Sequence, residues 1–271
     1  MIEITNLNFS YVRQKKMFNG VHLNFDPGHI YGVLGKNGTG KTTLFNLISG
    51  LLFPNQGTII VNGHTPEKRH PDFLSNLYFV TEEFYMPNVR PATWAKLYAY
   101  CYPRFSASDY NTFLEAFEID TGMKTGTMSM GERKKVYLAF ALACNTRLLL
   151  LDEPTNGLDI PSSVKLRSLL AVLSNEARCI LISSHHVQEI ENLIDHLIIL
   201  DNSTILLDQS MEALSQQYNY IQYTGNEPPV HSAYFESNLL GGKAIVPCSG
   251  ASSRIDMELL FNAVINGKIV Q

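Results

Sequence analysis

The apolar run Ile30-Tyr31-Gly32-Val33-Leu34 empties directly into Gly35-Lys36-Asn37-Gly38-Thr39-Gly40-Lys41-Thr42-Thr43, and that junction leaves few folds open to the chain. Its spacing fits GxxxxGK[ST]. Glycines allow successive backbone N–H groups to turn inward around an anion. The segment that follows, Lys41 to Ser49, places Leu44, Phe45, Leu47 and Ile48 at helical spacing, with Gly50 as its expected C-cap. Such a helix adds its positive N-terminal end to the anion nest. Lys41 reaches the terminal phosphates of a nucleotide, and the Thr42 hydroxyl suits Mg²⁺. A strand, a glycine-rich loop and a helix in that order belong to a parallel α/β sheet.

The remaining pattern agrees. Ile2 and Ile4, then Val21, Leu23 and Phe25, alternate with polar residues and predict two strands; Asp26-Pro27-Gly28 predicts a turn. A second turn at Pro54-Asn55-Gln56-Gly57 leads into a strand over Thr58 to Val61. From about residue 87 to 145 the character is helical. Trp94, Leu97, Tyr98 and Cys101 fall on one helix face, and Ser106 with Asp109 predicts a capping box. Leu148 to Leu151 is continuously apolar, as befits a parallel strand buried on both faces. Cys179 to Ile182 and Leu197 to Leu200 read alike, with a helix-length segment between strands. Beyond Tyr218 the pattern weakens. Gly225 to Pro229 reads as a loop, and Ser253 with Asp256 predicts the cap of a last helix bearing Leu259, Leu260, Ala263 and Val264, ended by Gly267.

A net charge of -4 gives no general attraction to nucleic acid or to anionic lipid, so no nucleic-acid partner is expected. The four cysteines are scattered without a CxxC pair, which predicts buried, reduced thiols. Neither a signal-peptide pattern nor an apolar run of the ~20 residues a membrane helix needs is present, so no direct membrane insertion is expected.

The run Leu148 to Leu151 delivers Asp152-Glu153-Pro154 at its C-terminal end, where ligands bind in open α/β sheets. Asp152 suits a Mg²⁺ contact, and Glu153 suits the task of positioning or deprotonating a water. GKNGTGKTT, SMGER about twenty residues before LLLLDEP, then TNGLD and SSHH, follow one another in the order found in ABC ATPases, and the chain resembles that family from residue 1 to about 215.

The resemblance implies an α/β P-loop NTPase: a RecA-like, mostly parallel core with an antiparallel β subdomain and a helical subdomain at about 87–145. These make up an ATPase domain over 1–218, followed by a small C-terminal accessory region, 219–271. It implies ATP and Mg²⁺ as cofactors. Gly35, Lys36, Asn37, Gly38, Thr39, Gly40, Lys41, Thr42 and Thr43 match the Walker A loop. Asp152 and Glu153 match the Walker B aspartate and the catalytic glutamate, Asp159 the D-loop aspartate, and His185 the switch histidine. Tyr11 falls where an aromatic stacks on adenine. Ser129 and Gly131 match signature positions that meet ATP held by a second subunit, which makes a head-to-tail homodimer the expected assembly. Thr42, Glu82 and Asp152 are the expected metal contacts. Two positions depart from the family pattern: Met130 replaces a signature glycine, and Glu82 replaces the usual Q-loop glutamine. Arg133, Lys134 and Lys135 read as a solvated helix face.

The same resemblance implies a transmembrane permease as partner, reached on the cytoplasmic face of the membrane, with Glu82 to Met86 and the helices after them as the receiving surface. Glu82 and the Asp256 to Phe261 segment favour an exporter. A soluble, nucleotide-gated scaffold with weak turnover is the alternative of another class; co-purification with a permease separates the two.

Overall fold

The computed structural model describes residues 1–11, 16–225, 227–238, 240–248, 250 and 253–269. In chain order, β1 (Ile2–Phe9), β2 (Phe18–Phe25), β3 (Ile30–Leu34), α1 (Lys41–Ile48), β4 (Gln56–Val61), α2 (Pro71–Ser75) and β5 (Leu77–Val80) form the N-terminal part. The helices α3 (Pro91–Tyr98), α4 (Ala107–Ala116) and α5 (Met130–Ala143) follow. Then come β6 (Leu148–Asp152), α6 (Ile160–Leu173), β7 (Cys179–Ser184), β8 (His196–Asp201), β9 (Thr204–Ser210) and α7 (Met211–Gln217). The chain closes with β10 (Tyr218–Thr224), β11 (Tyr234–Asn238), β12 (Gly241–Pro247) and α8 (Met257–Ile265).

The central sheet runs β5-β6-β7-β3-β8-β9. All neighbours pair in parallel except β9, which returns antiparallel along β8. Its inner strands β3, β6 and β7 are buried at every position because both faces are covered, whereas the edge strand β9 is mostly half-exposed. Leu148 and Leu150 point into one core, with Phe45 and Ile48 of α1 and the antiparallel sheet β2-β1-β4; Leu149 and Leu151 point into the other, with Leu138 and Phe140 of α5. Successive side chains on a strand alternate faces, so one run of four leucines feeds two cores. The strand order also fixes where a ligand binds. Strands β6, β7 and β3 are neighbours, so the residues that follow them, Glu153, His185 and the loop up to Lys41, share one edge of the sheet.

Several expectations are corrected. Of the apolar stripe expected on α3, only Trp94 is buried; Leu97, Tyr98 and Cys101 are exposed. The helix ends at Tyr98 and a 3₁₀ turn, Ala99–Cys101, takes Cys101 out of the helical register, while Leu97 and Tyr98 lie on a helix face left exposed. Of the cysteines, Cys144 and Cys179 are buried, but Cys101 is exposed and Cys248 half-buried; all four are free thiols. Between β7 and β8 the helix-length segment contains only a 3₁₀ turn, Val187–Glu189. Ser106 does cap α4, accepting from the Asp109 N–H. The cap of α8 is Asp256, which accepts from the Leu259 N–H; Ser253 accepts from the Tyr220 N–H instead. Residues beyond Tyr218, weakly patterned in sequence, form a second antiparallel sheet, β10-β12-β11, against which α8 packs Leu259, Leu260, Ala263 and Val264.

Candidate active site

The loop after β3 is closed by its own backbone geometry. Gly40, the residue before α1, sits at φ 111°, a conformation that favours glycine. A Cβ on Gly35 would lie 2.6 Å from the Leu200 carbonyl oxygen. Lys36, Asn37 and Gly38 are exposed at the tip, whereas Thr39, Lys41 and Thr43 are buried. The Lys41 ammonium donates to the carbonyl oxygens of Gly35 (2.7 Å) and Lys36 (3.4 Å), so it arches back over the loop it follows.

Three chain segments converge on Glu153. Its Oε1 lies 3.4 Å from Lys41 Nζ, and its Oε2 lies 2.9 Å from His185 Nδ1. Both carboxylate oxygens therefore face a basic nitrogen, and the side chain is nearly buried. The residue adopts φ 45°, a left-handed conformation that costs a non-glycine residue energy and is held only where its surroundings dictate it. Here the Glu153 N–H donates to the Ser183 carbonyl (3.2 Å) and the Ser183 hydroxyl (3.1 Å).

Asp152 lies beside this cluster, 1% exposed. It accepts from Thr42 Oγ1 at 2.6 Å on one carboxylate oxygen and from the Ser183 hydroxyl on the other. Thr42 and Asp152 thus already meet across the gap between α1 and β6. Glu82 lines the same cleft, where its Oε1 accepts from Asn156 Nδ2 at 3.0 Å. The cleft holds about 490 Å³, and Met17, Asn37, Lys41, Glu153 and His185 are among the residues lining it. No three His, Cys, Asp or Glu side chains among the described residues converge on a cage for a metal. The hydroxyl of Thr42 and the carboxylate of Asp152 are hard oxygen donors, the type Mg²⁺ takes in ones or twos while phosphate and water supply the rest.

Ser129, Gly131 and Asp159 do not line this cleft. Ser129 caps α5 in a closed box: its hydroxyl accepts from the Glu132 N–H, and its own N–H donates to Glu132 Oε2 at 2.7 Å. Ser129 is exposed, as is Met130, and so presents the start of α5 outward. Asp159 caps α6, accepting from the Ser162 N–H at 2.7 Å, and pairs with Lys135 at 3.1 Å. The Ser162 hydrogen bonds, aided by Lys135, pull its carboxyl down to about 2. Tyr11 lies outside the cleft lining too. Its hydroxyl is 3.0 Å from Thr43 Oγ1, and its ring stands edge-on to Phe9.

Two residues here carry no recognisable sequence signal. Lys134 was expected on a solvated face, but it is buried, and its ammonium donates to the carbonyl oxygens of Glu153 (2.9 Å) and Asn156 (2.7 Å). Burial pulls its pKa below the ordinary lysine range, against the pull of the surrounding carboxylates. Glu189 bridges the segments carrying Glu153 and His185: it accepts from Thr155 Oγ1 at 2.5 Å and from the Ser184 hydroxyl at 3.0 Å. Both act through contacts between segments far apart in the chain, which local spacing does not encode.

Residues 18–156 match the family model described as ABC transporter. The chain belongs to the ABC transporter ATP-binding family. The ABC transporter ATP-binding protein NatA of Bacillus subtilis is 30% identical over 237 residues, covering 82% of this chain and 96% of that protein. The bacitracin transport ATP-binding protein BcrA of Bacillus licheniformis is 32% identical over 228 residues, covering 80% of this chain and 72% of its own length. Among solved structures, the ATP-binding subunit of an ABC transporter superposes with a TM-score of 0.72 at 23% identity, over 79% of this chain and 91% of that one. A dimeric ATP-binding cassette holding ADP and Pi after hydrolysis superposes with a TM-score of 0.69 at 21% identity, over 78% of this cassette and 99% of the other. The fold of these cassettes, a P-loop NTPase core with antiparallel and helical parts, is the fold described above.

Proposed function

We propose that this chain hydrolyses ATP as the energising subunit of a membrane exporter, working as a head-to-tail dimer with a second copy of itself. The observation that carries the reading is the Lys41–Glu153–His185 cluster at the C-terminal edge of the sheet, with Thr42 and Asp152 paired beside it. Each part has a chemical task. The loop from Gly35 to Thr43 binds the phosphates, and Lys41 swings from Gly35 and Lys36 onto the terminal one. Thr42 and Asp152, with Glu82 at the cleft wall, hold Mg²⁺, which neutralises charge on the phosphates. Glu153 orients a water for in-line attack and accepts its proton. His185 holds the carboxylate and contacts the terminal phosphate. Tyr11, adjoining Thr43, offers its ring to the adenine.

Ser129 and Gly131 of one subunit close over ATP held by the other, with the free N–H groups at the start of α5 aimed at phosphate. Asp159 shapes the contact between the subunits. ATP binding then joins the two copies and hydrolysis releases them, which turns chemistry into movement.

No helix among the described residues is long and apolar enough to cross a membrane. The movement passes to a permease at the cytoplasmic face. An apolar groove of about 540 Å³, lined by Leu51, Leu74, Leu77, Phe79 and Tyr102, suits a helix of that permease, with Phe53, Leu97 and Tyr100 exposed on the same subunit. None of Glu82 to Met86, the receiving surface expected from sequence, lines this groove: Tyr85 is exposed elsewhere, Met86 is buried and Phe84 stacks on Tyr137.

Gel filtration of Glu153→Gln with ATP tests the reading: a dimer is expected, and a monomer at saturating ATP overturns the sandwich. Lys41→Ala is expected to lose ATP binding; undiminished affinity overturns the loop assignment.

A further inference from the structure

The N-terminal half of α5 is fastened to the stretch that carries Glu153. Lys134 spends its buried ammonium on two main-chain carbonyls, those of Glu153 and Asn156, at 2.9 and 2.7 Å. No carboxylate ion-pairs with it among the described residues. Its neighbour Lys135 pairs with Asp159 at 3.1 Å, and a Cβ built on Gly131 would lie 3.0 Å from the Gly157 carbonyl oxygen. The start of α5 therefore lies against the whole span from Glu153 to Asp159.

A buried cation is costly to desolvate; the carboxylates of Glu82, Glu153, Asp152 and Glu189 attract Lys134 through space, but its hydrogen bonds go to neutral carbonyls, and an apolar chain of similar length would fill the same space. What an apolar chain lacks is directional donors. The two carbonyls that receive them bracket the turn in which Glu153 is held at φ 45°. We infer that Lys134 is a positioning residue for hydrolysis: its ammonium locks the Glu153–Asn156 backbone, keeping the Glu153 carboxylate aimed, and ties that aim to the α5 terminus that meets the partner's ATP. The inference rests on the water-positioning role given to Glu153 above.

The test uses the full chain with Lys134→Met, which keeps the stem and removes the donors, and Lys134→Gln, which is neutral and keeps two. Lys134→Met is expected to lower kcat about tenfold or more while KM and ATP affinity change less than about threefold. Lys134→Gln is expected to recover most of that loss. In the Glu153→Gln background Lys134→Met is expected to have no further effect, because it acts through that carboxylate. Unchanged kcat, a loss confined to KM, no recovery by glutamine, or an equal loss in both backgrounds overturns the inference. Normal turnover by Glu153→Gln alone overturns the role of Glu153 instead. A second measurement needs no methionine variant. The ¹⁵Nζ resonance of Lys134 in the wild-type chain, assigned by its loss in Lys134→Gln, is expected to shift when ATP is added; an unmoved resonance overturns the coupling.

Discussion

Replacing Glu153 by glutamine has a thermodynamic consequence separate from catalysis. Lys41 and Glu153 are each about 6% exposed at the side chain, and their charges sit 3.4 Å apart. At an effective dielectric of about 20, that separation corresponds to roughly 5 kcal/mol of attraction. Removing one partner of such a buried pair costs about 3–5 kcal/mol, because the other charge stays buried. Lys41 keeps its bonds to the Gly35 and Lys36 carbonyls, which lowers the expected cost to about 2–3 kcal/mol. At roughly 2–4 °C per kcal/mol for a chain of this size, the nucleotide-free variant melts about 5–10 °C below wild type. On the role proposed for Lys41, ATP is expected to reverse the deficit: its terminal phosphate would give Lys41 a new counter-charge, and the variant has neither the old pair to break nor a carboxylate repelling the phosphate. Recovering the same 2–3 kcal/mol tightens binding about 30- to 150-fold. Thermal unfolding without nucleotide and calorimetric titration with a non-hydrolysable ATP analogue measure the two halves. An unchanged melting temperature without nucleotide, or equal affinities, refutes the argument that Lys41 exchanges Glu153 for phosphate.

Leu260→Ala, at a fully buried position in the core that α8 shares with β8, is expected to cost about 2–5 kcal/mol, read as a shift of the denaturation midpoint. Carboxyl NMR is expected to give Asp159 a titration midpoint of about 2, against an ordinary 3.8. Because its folded pKa is lowered, its contribution to stability is fully present above pH 4 or so and is lost as pH falls toward about 2. Lys135→Ala is expected to raise that midpoint only in part, since the Ser162 hydrogen bonds, the largest cause, remain.

What could be read in the sequence was whatever a local rule writes into consecutive residues. The glycine loop, the apolar runs of β3, β6, β7 and β8, and the carboxylate pair at the end of β6 each follow from a spacing or an alternation within a few positions. The α3 stripe misled for the same reason: Leu97 and Tyr98 obey the helical period, but periodicity does not say whether anything packs on that face. The sheet of β10, β11 and β12 left little trace. Tyr218–Thr224 is mostly half-buried and Tyr234–Asn238 mostly exposed, so no clean alternation of buried and exposed residues marks them. Lys134 sits in a run of three basic residues, which by composition is a solvated face; only the approach of the Glu153 and Asn156 carbonyls makes its burial tolerable.

The restraint around Glu153 fits a conflict in the task proposed for it. As a water-positioning group it would place a carboxylate near anionic phosphates, where electrostatics alone would turn the side chain away. The fold opposes this from several sides. Lys41 and His185 hold the two oxygens, Ser183 holds the N–H, and Lys134 holds the carbonyl, so that both the side chain and the backbone of one residue are fixed. Glu189 adds a second tie by joining Thr155 to Ser184, which keeps the ends of β6 and β7 at a constant distance and with them the 2.9 Å contact between Glu153 and His185. Of these restraints, only the one from Lys41 must give way when phosphate arrives. The others act on the backbone or on the far oxygen, so nucleotide binding can take the lysine without releasing the aim of the carboxylate.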